Sequence, residues 1–309
     1  MELTKKSRGE KFRYTLNEMK THKSEYLLIA PFMLLFCFFT VIPVLASMVL
    51  VYTNFNLLQM PEFVGFDNYI NLFLNDDIFL VAAKNTLVFA VVTGPISYFG
   101  CLLLAWFVNE LPPLARTAMT FLFYAPSISG NLYLIWSFIF SGDMFGWLNS
   151  ILIQLGFIST PISWLSDARY MMPIVMVVQI WMSFGTGFLS FVAGLQGIDR
   201  SMYEAGSIDG VKNRFQELIY ITLPAMGPQL MFGAVMQIST AFSAGAVATA
   251  LCGNPSTDYA ASTIIQHMTD YGTVRYEMGY ASAMATVLFI VMLSMNSLIS
   301  KVLSKYTAL

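Results

Sequence analysis

Charge is what this 309-residue chain has least of: 11% of its residues are Asp, Glu, Lys or Arg, where an ordinary soluble domain carries roughly 25%. So few charges cannot wet the surface of a globule this size, which argues against a soluble enzyme. Apolar residues make up 57% of the chain, among them 26 Phe, 15 Tyr and 20 Met, and the mean hydropathy is +0.65. Most of the exterior is therefore expected to face lipid. Sixteen basic residues against 18 acidic ones leave no net positive field for nucleic acid.

Other absences narrow the chemistry. The three cysteines, Cys37, Cys101 and Cys252, are odd in number and far apart, so no disulfide or metal-ligand pattern emerges. His22 and His267 have no ligand-like companions and read as surface residues. No Gly is followed by Lys. The phosphate-cradling Gly-x-x-x-x-Gly-Lys-[Ser/Thr] loop is thus missing, and the chain cannot itself cradle ATP.

What the chain does have is long uncharged runs. A bilayer core of about 30 Å takes about 20 apolar residues in a helix. Seven stretches of sufficient length contain no ionisable residue of the Asp, Glu, Lys, Arg or His type: 26–61, 85–109, 117–142, 144–166, 170–198, 218–257 and 278–300. The fourth is interrupted by Gly146, Asn149, Gln154, Gly156, Pro161 and several serines, and reads as a surface-lying segment. Basic residues concentrate on the cytoplasmic side of membrane proteins. Six spans with the N-terminus inside put 13 of the 16 Lys and Arg on that side, whereas counting 144–166 as a seventh span puts 10 there.

The expected architecture is an all-α integral membrane protein with six transmembrane helices and both termini cytoplasmic. A cytoplasmic arm covers 1–25 and a single membrane domain 26–309. Spans lie near 27–52, 85–109, 118–140, 171–195, 228–251 and 280–302, with external segments 53–84, 141–169 and 252–279. The first apolar run exceeds the 7–15-residue core of a secretory signal, so it reads as a retained span.

No Asp, Glu or His falls inside these spans, so a proton relay has nothing to work with, and an ion or strongly ionic solute is disfavoured. Neutral polar groups do cluster there. Gln179, Ser183 and Thr186 lie at i, i+4 and i+7 of a helix, and Ser239 and Ser243 are four apart, near Gln237 and Thr240. Amides and hydroxyls beside aromatic rings suit a neutral polyol such as a sugar. The plainer reading is that small polar residues hold neighbouring helices together.

Between spans four and five the chain turns abruptly polar, from Gly197 to Glu217. Two short helices are expected. Ser201 with Glu204 fits a capping box, Gly210 a left-handed stop, and Asn213 with Gln216 a second box. Met202, Ala205, Ile208, Phe215, Leu218 and Ile219 give the pair an apolar face that suits either a bilayer surface or a groove in a soluble partner.

The stretch Tyr203-Glu204-Ala205-Gly206-Ser207-Ile208-Asp209-Gly210, followed by Ile221-Thr222-Leu223-Pro224, closely resembles the cytoplasmic loop of the membrane subunits of ABC importers. In that family the loop reads Glu-Ala-Ala, three residues, Gly, nine residues, Ile, one residue, Leu-Pro, and docks on the ATPase subunit. Here Gly206 stands for the second Ala, which is expected to loosen the helix by up to about 1 kcal/mol, and ten residues separate Gly210 from Ile221. Phe63–Tyr69, Gly194–Ile198 and Gly279–Ala283 extend the resemblance over nearly the whole chain. They point to the carbohydrate-uptake branch, in the first-subunit type typified by the larger maltose permease subunit.

The resemblance implies a coupling loop over 197–224, with Glu204, Ala205, Gly206, Asp209, Gly210, Leu223 and Pro224 contacting the ATPase. Sugar-contacting positions map onto Gln179, Met182, Ser183, Thr186, Met236, Ser239, Thr240 and Ser243, although the residue types differ from the maltose case. It also implies a bacterial-type cell-membrane location, a second homologous permease subunit, two ATP-binding subunits that carry ATP and Mg, and an extracellular solute-binding protein. The chain itself is expected to take no cofactor and to catalyse nothing. An importer for another neutral solute, such as a polyol, and an uncoupled facilitator are the alternatives.

Overall fold

The computed structural model describes residues 18, 21–130 and 132–306. Most of the arm expected over 1–25 therefore lies outside the described residues. Among the described residues every regular element is helical, and the one β-bridge joins Thr53 and Phe63. Four helices are long and apolar enough to cross a membrane: Lys23–Leu50, Asp77–Asn109, Gly227–Cys252 and Met278–Lys305. A fifth candidate is the pair Ala168–Met182 and Thr186–Gln196, which meet at a 40° bend.

Local chemistry explains where these helices start, bulge and stop. The first begins as α1 (Lys23–Phe36), passes through a π turn at Cys37–Val41 and continues as α2 (Ile42–Leu50). Pro43 follows that turn, and widening the helix relieves the clash between a proline ring and the carbonyl four residues back. A short α3 (Asp67–Leu74) precedes α4 (Asp77–Asn109). The latter starts eight residues before the expected span, so Lys84 lies on the helix rather than at its edge. The uncharged run marked only the part of α4 that carries no charge.

The stretch expected as one span over 118–140 is two helices, α5 (Pro113–Ile128) and α6 (Tyr133–Ile139). Pro126 sits in the last turn of α5 and Ser129 is extended (φ −96°, ψ 107°), so the ladder cannot propagate. The segment 144–166 holds only the short α7 (Trp147–Gln154). Its loops fold around buried Asn149, whose amide donates to the Ser141, Asp143 and Ile162 carbonyls and accepts from the Trp164 indole at 2.8 Å.

The bent fourth element comprises α8 (Ala168–Met182) and α9 (Thr186–Gln196). Then come α10 (Arg200–Ile208), α11 (Arg214–Glu217), a π turn at Leu218–Thr222 and α12 (Leu223–Ala225). As before Pro43, this π turn comes just before a proline, Pro224. The remaining elements are α13 (Gly227–Phe242), α14 (Gly245–Cys252), a 3-10 turn at Thr257–Tyr259, α15 (Ile264–Thr269), a π turn at Asp270–Val274 and α16 (Met278–Tyr306).

One helix, α4, threads all three apolar clusters. It supplies Phe79 and Ala90 to a cluster with Ile238, Phe242 and Met284, and Phe89 to one with Val175, Val178 and Ala248. Cys101, Leu102 and Ala105 join Phe188, Phe191 and Leu230 in the third. Small residues let α9 and α13 approach closely: a Cβ on Gly233 would run into the Phe191 ring. By contrast, nothing in α1 or α2 is fully buried, and apart from the contact of α2 with α16 the first helix presents its surface to lipid or to another chain.

His267 is not the surface residue the sequence suggested. It is 6% exposed, and its Nε2 lies 2.8 Å from Asp76, which also accepts from the Tyr280 hydroxyl at 2.8 Å and from the Phe79 N–H at the start of α4. Its partner Asp76 lies 191 positions away along the chain, beyond the reach of a sequence motif. Nearby, Asn85 donates to the carbonyls of Tyr259, Ala260 and Ser262, and Thr86 accepts from the Ile264 N–H. The segment 252–279 is thus bonded into the bundle. Burial works against ionised Asp76, but the bonds from His267, Phe79 and Tyr280 outweigh it and hold the carboxyl below its ordinary range.

Because the Asp76 carboxyl is depressed in the folded state, its stabilisation is present above its unfolded value and is lost as pH falls through the folded one. The thermal midpoint of the purified protein is expected to drop as pH is lowered below about 4. Asp76→Asn should lower the midpoint at pH 7 and flatten that acid-side drop, both read by a thermal-unfolding series across pH.

Candidate functional site

The break between α8 and α9 creates the site. Ser183, Phe184 and Gly185 interrupt the ladder, with Gly185 at φ −110°, ψ −134° opening α9. A helix that stops inside a bilayer leaves carbonyls that water cannot reach, and each needs a partner from the protein. Gln237 of α13 provides one: its Nε2 donates to the Ser183 carbonyl at 3.1 Å and lies 3.3 Å from the Cys101 sulfur of α4. Gln237 is buried, as are Ser183 and Gln179.

Beside the break lies an open-sided pocket of ≈ 230 Å³. The break and the start of α9 contribute Met182, Ser183, Gly185, Thr186 and Gly187; α13 contributes Met236, Gln237 and Thr240; α5 contributes Tyr124 and Ser127. The lining carries no charge. It combines an amide, hydroxyls, a phenol ring and two thioethers, a mixture that can bond hydroxyl groups and cover C–H faces.

Of the eight positions mapped for solute contact, five line this pocket: Met182, Ser183, Thr186, Met236 and Thr240. The other three lie elsewhere. Gln179 donates to the Thr240 carbonyl at 3.2 Å and bridges α8 to α13. The Ser239 and Ser243 hydroxyls donate to the Val235 and Ser239 carbonyls of their own helix. Nor do Gln179, Ser183 and Thr186 share one continuous helix face, since the ladder ends at Met182 and Thr186 begins the next helix. Tyr124, Ser127, Gly185, Gly187 and Gln237 complete the lining. Gln237 was visible as a polar residue within a span, but Tyr124 and Ser127 carried no sequence signal beyond their polarity.

Three hydroxyls of this lining are bonded back to their own helices. Ser183 donates to Ile180, Thr240 to Met236 and Ser127 to Tyr124, at 2.6, 2.6 and 2.8 Å. Each oxygen keeps lone pairs to accept from a ligand O–H.

The polar loop forms the two expected helices, with one change at the start. Asp199, not Ser201, caps α10, accepting from the Ser201 N–H, and Glu204 pairs loosely with Arg200 at 3.5 Å. An aspartate one residue before the helix offers both the acceptor and the negative charge that a helix N-terminus favours. Gly210 stops the turn at φ +95°. Asn213 caps α11 from Gln216 N–H, while the Gln216 side chain accepts from Lys212 N–H.

Gly206 does more than loosen α10. It is buried, and a Cβ there would meet the Ile221 side chain at 2.5 Å, so its lack of a side chain lets α10 close on the π turn. Tyr203 and Thr222 hydroxyls meet at 3.0 Å across the same contact, and Arg214 joins Glu217 of α11 and Glu110 beyond α4. Met202, Ala205, Ile208, Phe215 and Ile219 remain exposed, as do Glu204, Asp209, Gly210 and Pro224, whereas Leu218 is buried and Leu223 half-buried.

Residues 26–306 match the model of the family described as binding-protein-dependent transport system inner membrane component. The chain belongs to this family. It is therefore a permease subunit of the inner membrane rather than an enzyme, and works with a binding protein. Among its relatives are two from Bacillus subtilis. A probable ABC transporter permease protein, YesP, is 32% identical over 88% of this chain and 87% of its own. The arabinooligosaccharides transport system permease protein AraP is 31% identical over 90% and 88%. The lactose transport system permease protein LacF of Rhizobium radiobacter is 33% identical over 68% and 70%. A solved chain of a bacterial alginate ABC transporter shares the fold of this permease, with a TM-score of 0.77 at 22% identity, over 94% of this chain and 97% of its own.

Removing the Gln237 amide leaves the Ser183 carbonyl to the Gly185 N–H at 2.8 Å and the Cys101 thiol at 3.9 Å, a loss of one net hydrogen bond, about 0.5–1.5 kcal/mol. Gln237→Ala is therefore expected to lower the thermal midpoint of the purified permease and to weaken solute binding. Ser243→Ala, whose hydroxyl is exposed and bonds only its own helix, should change the midpoint little. Parallel melts with and without solute check both.

Proposed function

We propose that the chain forms half of the translocation pathway of an ATP-driven importer for a neutral sugar, of oligosaccharide size. One observation carries the sugar reading: the uncharged pocket at the helix break, lined by hydroxyls, an amide and an aromatic ring. The names of AraP and LacF, which refer to arabinooligosaccharides and lactose, support it. A phosphate ester or other anion would want Arg or Lys at the lining, and the pocket has neither.

Under this reading the membrane domain spans 26–309 and crosses six times, with α5 and α6 together as the third crossing and both termini in the cytoplasm. The loop 197–224 docks on the ATPase, with exposed Glu204, Ala205 and Asp209 beside the turn at Gly210. Two ATPase subunits carry ATP and Mg, and a second homologous permease subunit closes the open side of the pocket. A solute-binding protein delivers sugar to the far face. ATP-driven closure of the ATPases moves α10 and α11, and α9 carries the motion to the break. A neutral polyol other than a sugar remains the alternative for the same pocket.

The test is reconstitution in proteoliposomes with the ATPase and solute-binding subunits. Uptake of lactose or an arabinooligosaccharide should require ATP and stop with vanadate. Uptake that survives vanadate would overturn the ATP-driven reading, and uptake of small polyols alone would favour the alternative. Glu204→Lys places a cation beside Arg200 on the docking helix and should reduce uptake by roughly tenfold or more, about 1.4 kcal/mol of coupling, while the complex still assembles. Normal uptake by this variant would contradict the loop assignment.

A further inference from the structure

A second cavity, ≈ 400 Å³, lies beside the first and shares one residue with it, Tyr124. Its lining comes from α5 (Pro113, Arg116, Thr117, Thr120, Phe121) and from α9 (Leu189, Val192, Gln196). Gln196 is the last residue of α9, three before the Asp199 cap of the docking loop. The cavity therefore extends from the helix-break pocket toward the coupling-loop end of the molecule.

Along α5, Thr117, Thr120, Tyr124 and Ser127 recur at i, i+3, i+7 and i+10. That is the spacing of a single helix face. Together with the cavity linings, it makes one polar stripe joining the two cavities. The residues between them are apolar: Met119, Leu122 and Phe123, with Leu122 59% exposed off the stripe. The chemistry of the stripe matches that of the pocket. The Thr117 hydroxyl donates to the Pro113 carbonyl at 3.0 Å, as Ser127 does to Tyr124, so both keep acceptor lone pairs. Rings of Phe121 and Tyr124 stand beside these hydroxyls and the Gln196 amide.

Arg116, the one charged residue of this lining, is tied to the end of α4 through one terminal nitrogen, while its buried Nε has no partner. Its guanidinium donates to the carbonyls of Asn109 and Leu111 at 2.7 and 3.2 Å and so caps the end of α4. The path past it offers hydroxyls, an amide and aromatic faces.

We propose that the α5 stripe Thr117, Thr120, Tyr124 and Ser127 is the release route by which a neutral sugar passes from the helix-break pocket to the cytoplasm, with the Tyr124 ring as the divide between the two cavities. This rests on the reading of the chain as a sugar importer and adds the route and its residues. No covalent step is involved. The sugar exchanges hydrogen bonds from one neutral hydroxyl of the stripe to the next, so no strongly held intermediate forms along the way.

The test uses the full complex with Cys37, Cys101 and Cys252 of this chain replaced by Ala, and single cysteines placed at Thr117, Thr120, Ser127 and Leu122. A membrane-impermeant methanethiosulfonate is applied from the cytoplasmic side without nucleotide. T117C, T120C and S127C should react at least roughly tenfold faster than L122C, a margin of about 1.4 kcal/mol in accessibility. Modified T120C should lose uptake. Stripe cysteines that react no faster than L122C, or modified T120C that still transports, would overturn the route and place the stripe against lipid or another subunit. In the natural chain, Thr120→Trp should block uptake while Leu122→Trp should not, so the route stays testable if the cysteine-free chain assembles poorly. Failure of the importer reading shows separately, as an unmodified complex that takes up neither lactose nor arabinooligosaccharide.

Discussion

The bond from the Gln237 amide to the Ser183 carbonyl is the contact on which the site depends. A helix can stop in the middle of a bilayer only if the protein supplies the partners that water would supply elsewhere. Here one side chain reaches from α13 across to the end of α8, and its nitrogen also lies against the Cys101 sulfur of α4. Three helices are tied at the point where one of them breaks. The break gives the chain a cavity at that depth, and its Gly185 and Gly187 leave room for a ligand. An unbroken helix over 168–196 would close the pocket with side chains at every turn.

The same break makes α9 a lever. Eleven residues, about 16 Å of helix, run from the pocket to the cap of α10 with only Gly197 to Asp199 between. At the other end α10 is held to the π turn by the contact of Gly206 with Ile221 and by the Tyr203–Thr222 hydroxyl pair, and α11 to the end of α4 by Arg214 and Glu110. Pro224 forces that π turn, and the extra residue it holds falls within the ten-residue spacing between Gly210 and Ile221. Under the proposed function, a push on α10 passes into both α9 and the start of α13. The first of these elements begins three residues after Ser183 and the second carries Gln237, so both adjoin the bond that stabilises the break.

Much of this was legible in the sequence because charge placement is a one-dimensional signal. Uncharged runs located most of the apolar helices. The polar island from Gly197 to Glu217 located the loop, and Gly210 and Asn213 punctuate it as their backbone chemistry requires. Breaks inside apolar runs were not legible. Ser183-Phe184-Gly185 sits within a continuous uncharged run, and its break is supported by a distant partner, Gln237, whereas the stop from Pro126 to Gly130 is local and was passed over because the run carries no charge. Asp199 displaced Ser201 as the cap because two acceptors stood two residues apart and only the backbone decides which is extended. His267 was misjudged for the opposite reason, since its partner Asp76 lies far away along the chain.

The missing charge of the interior takes on a sharper meaning once the pocket is seen. Three of its hydroxyls, those of Ser127, Ser183 and Thr240, are bonded back as donors to carbonyls of their own helices, so what these three present inward is acceptors. A ligand that satisfies such a wall must bring its own O–H donors, and a sugar brings several. An anion or a cation would meet no counter-charge in this lining. The neutral wall also cannot store an ion's energy, so the drive for uphill transport has to enter through the surface that is charged and exposed. Under the proposed function that surface is the α10–α11 loop, and the helix break lies one short helix away from it.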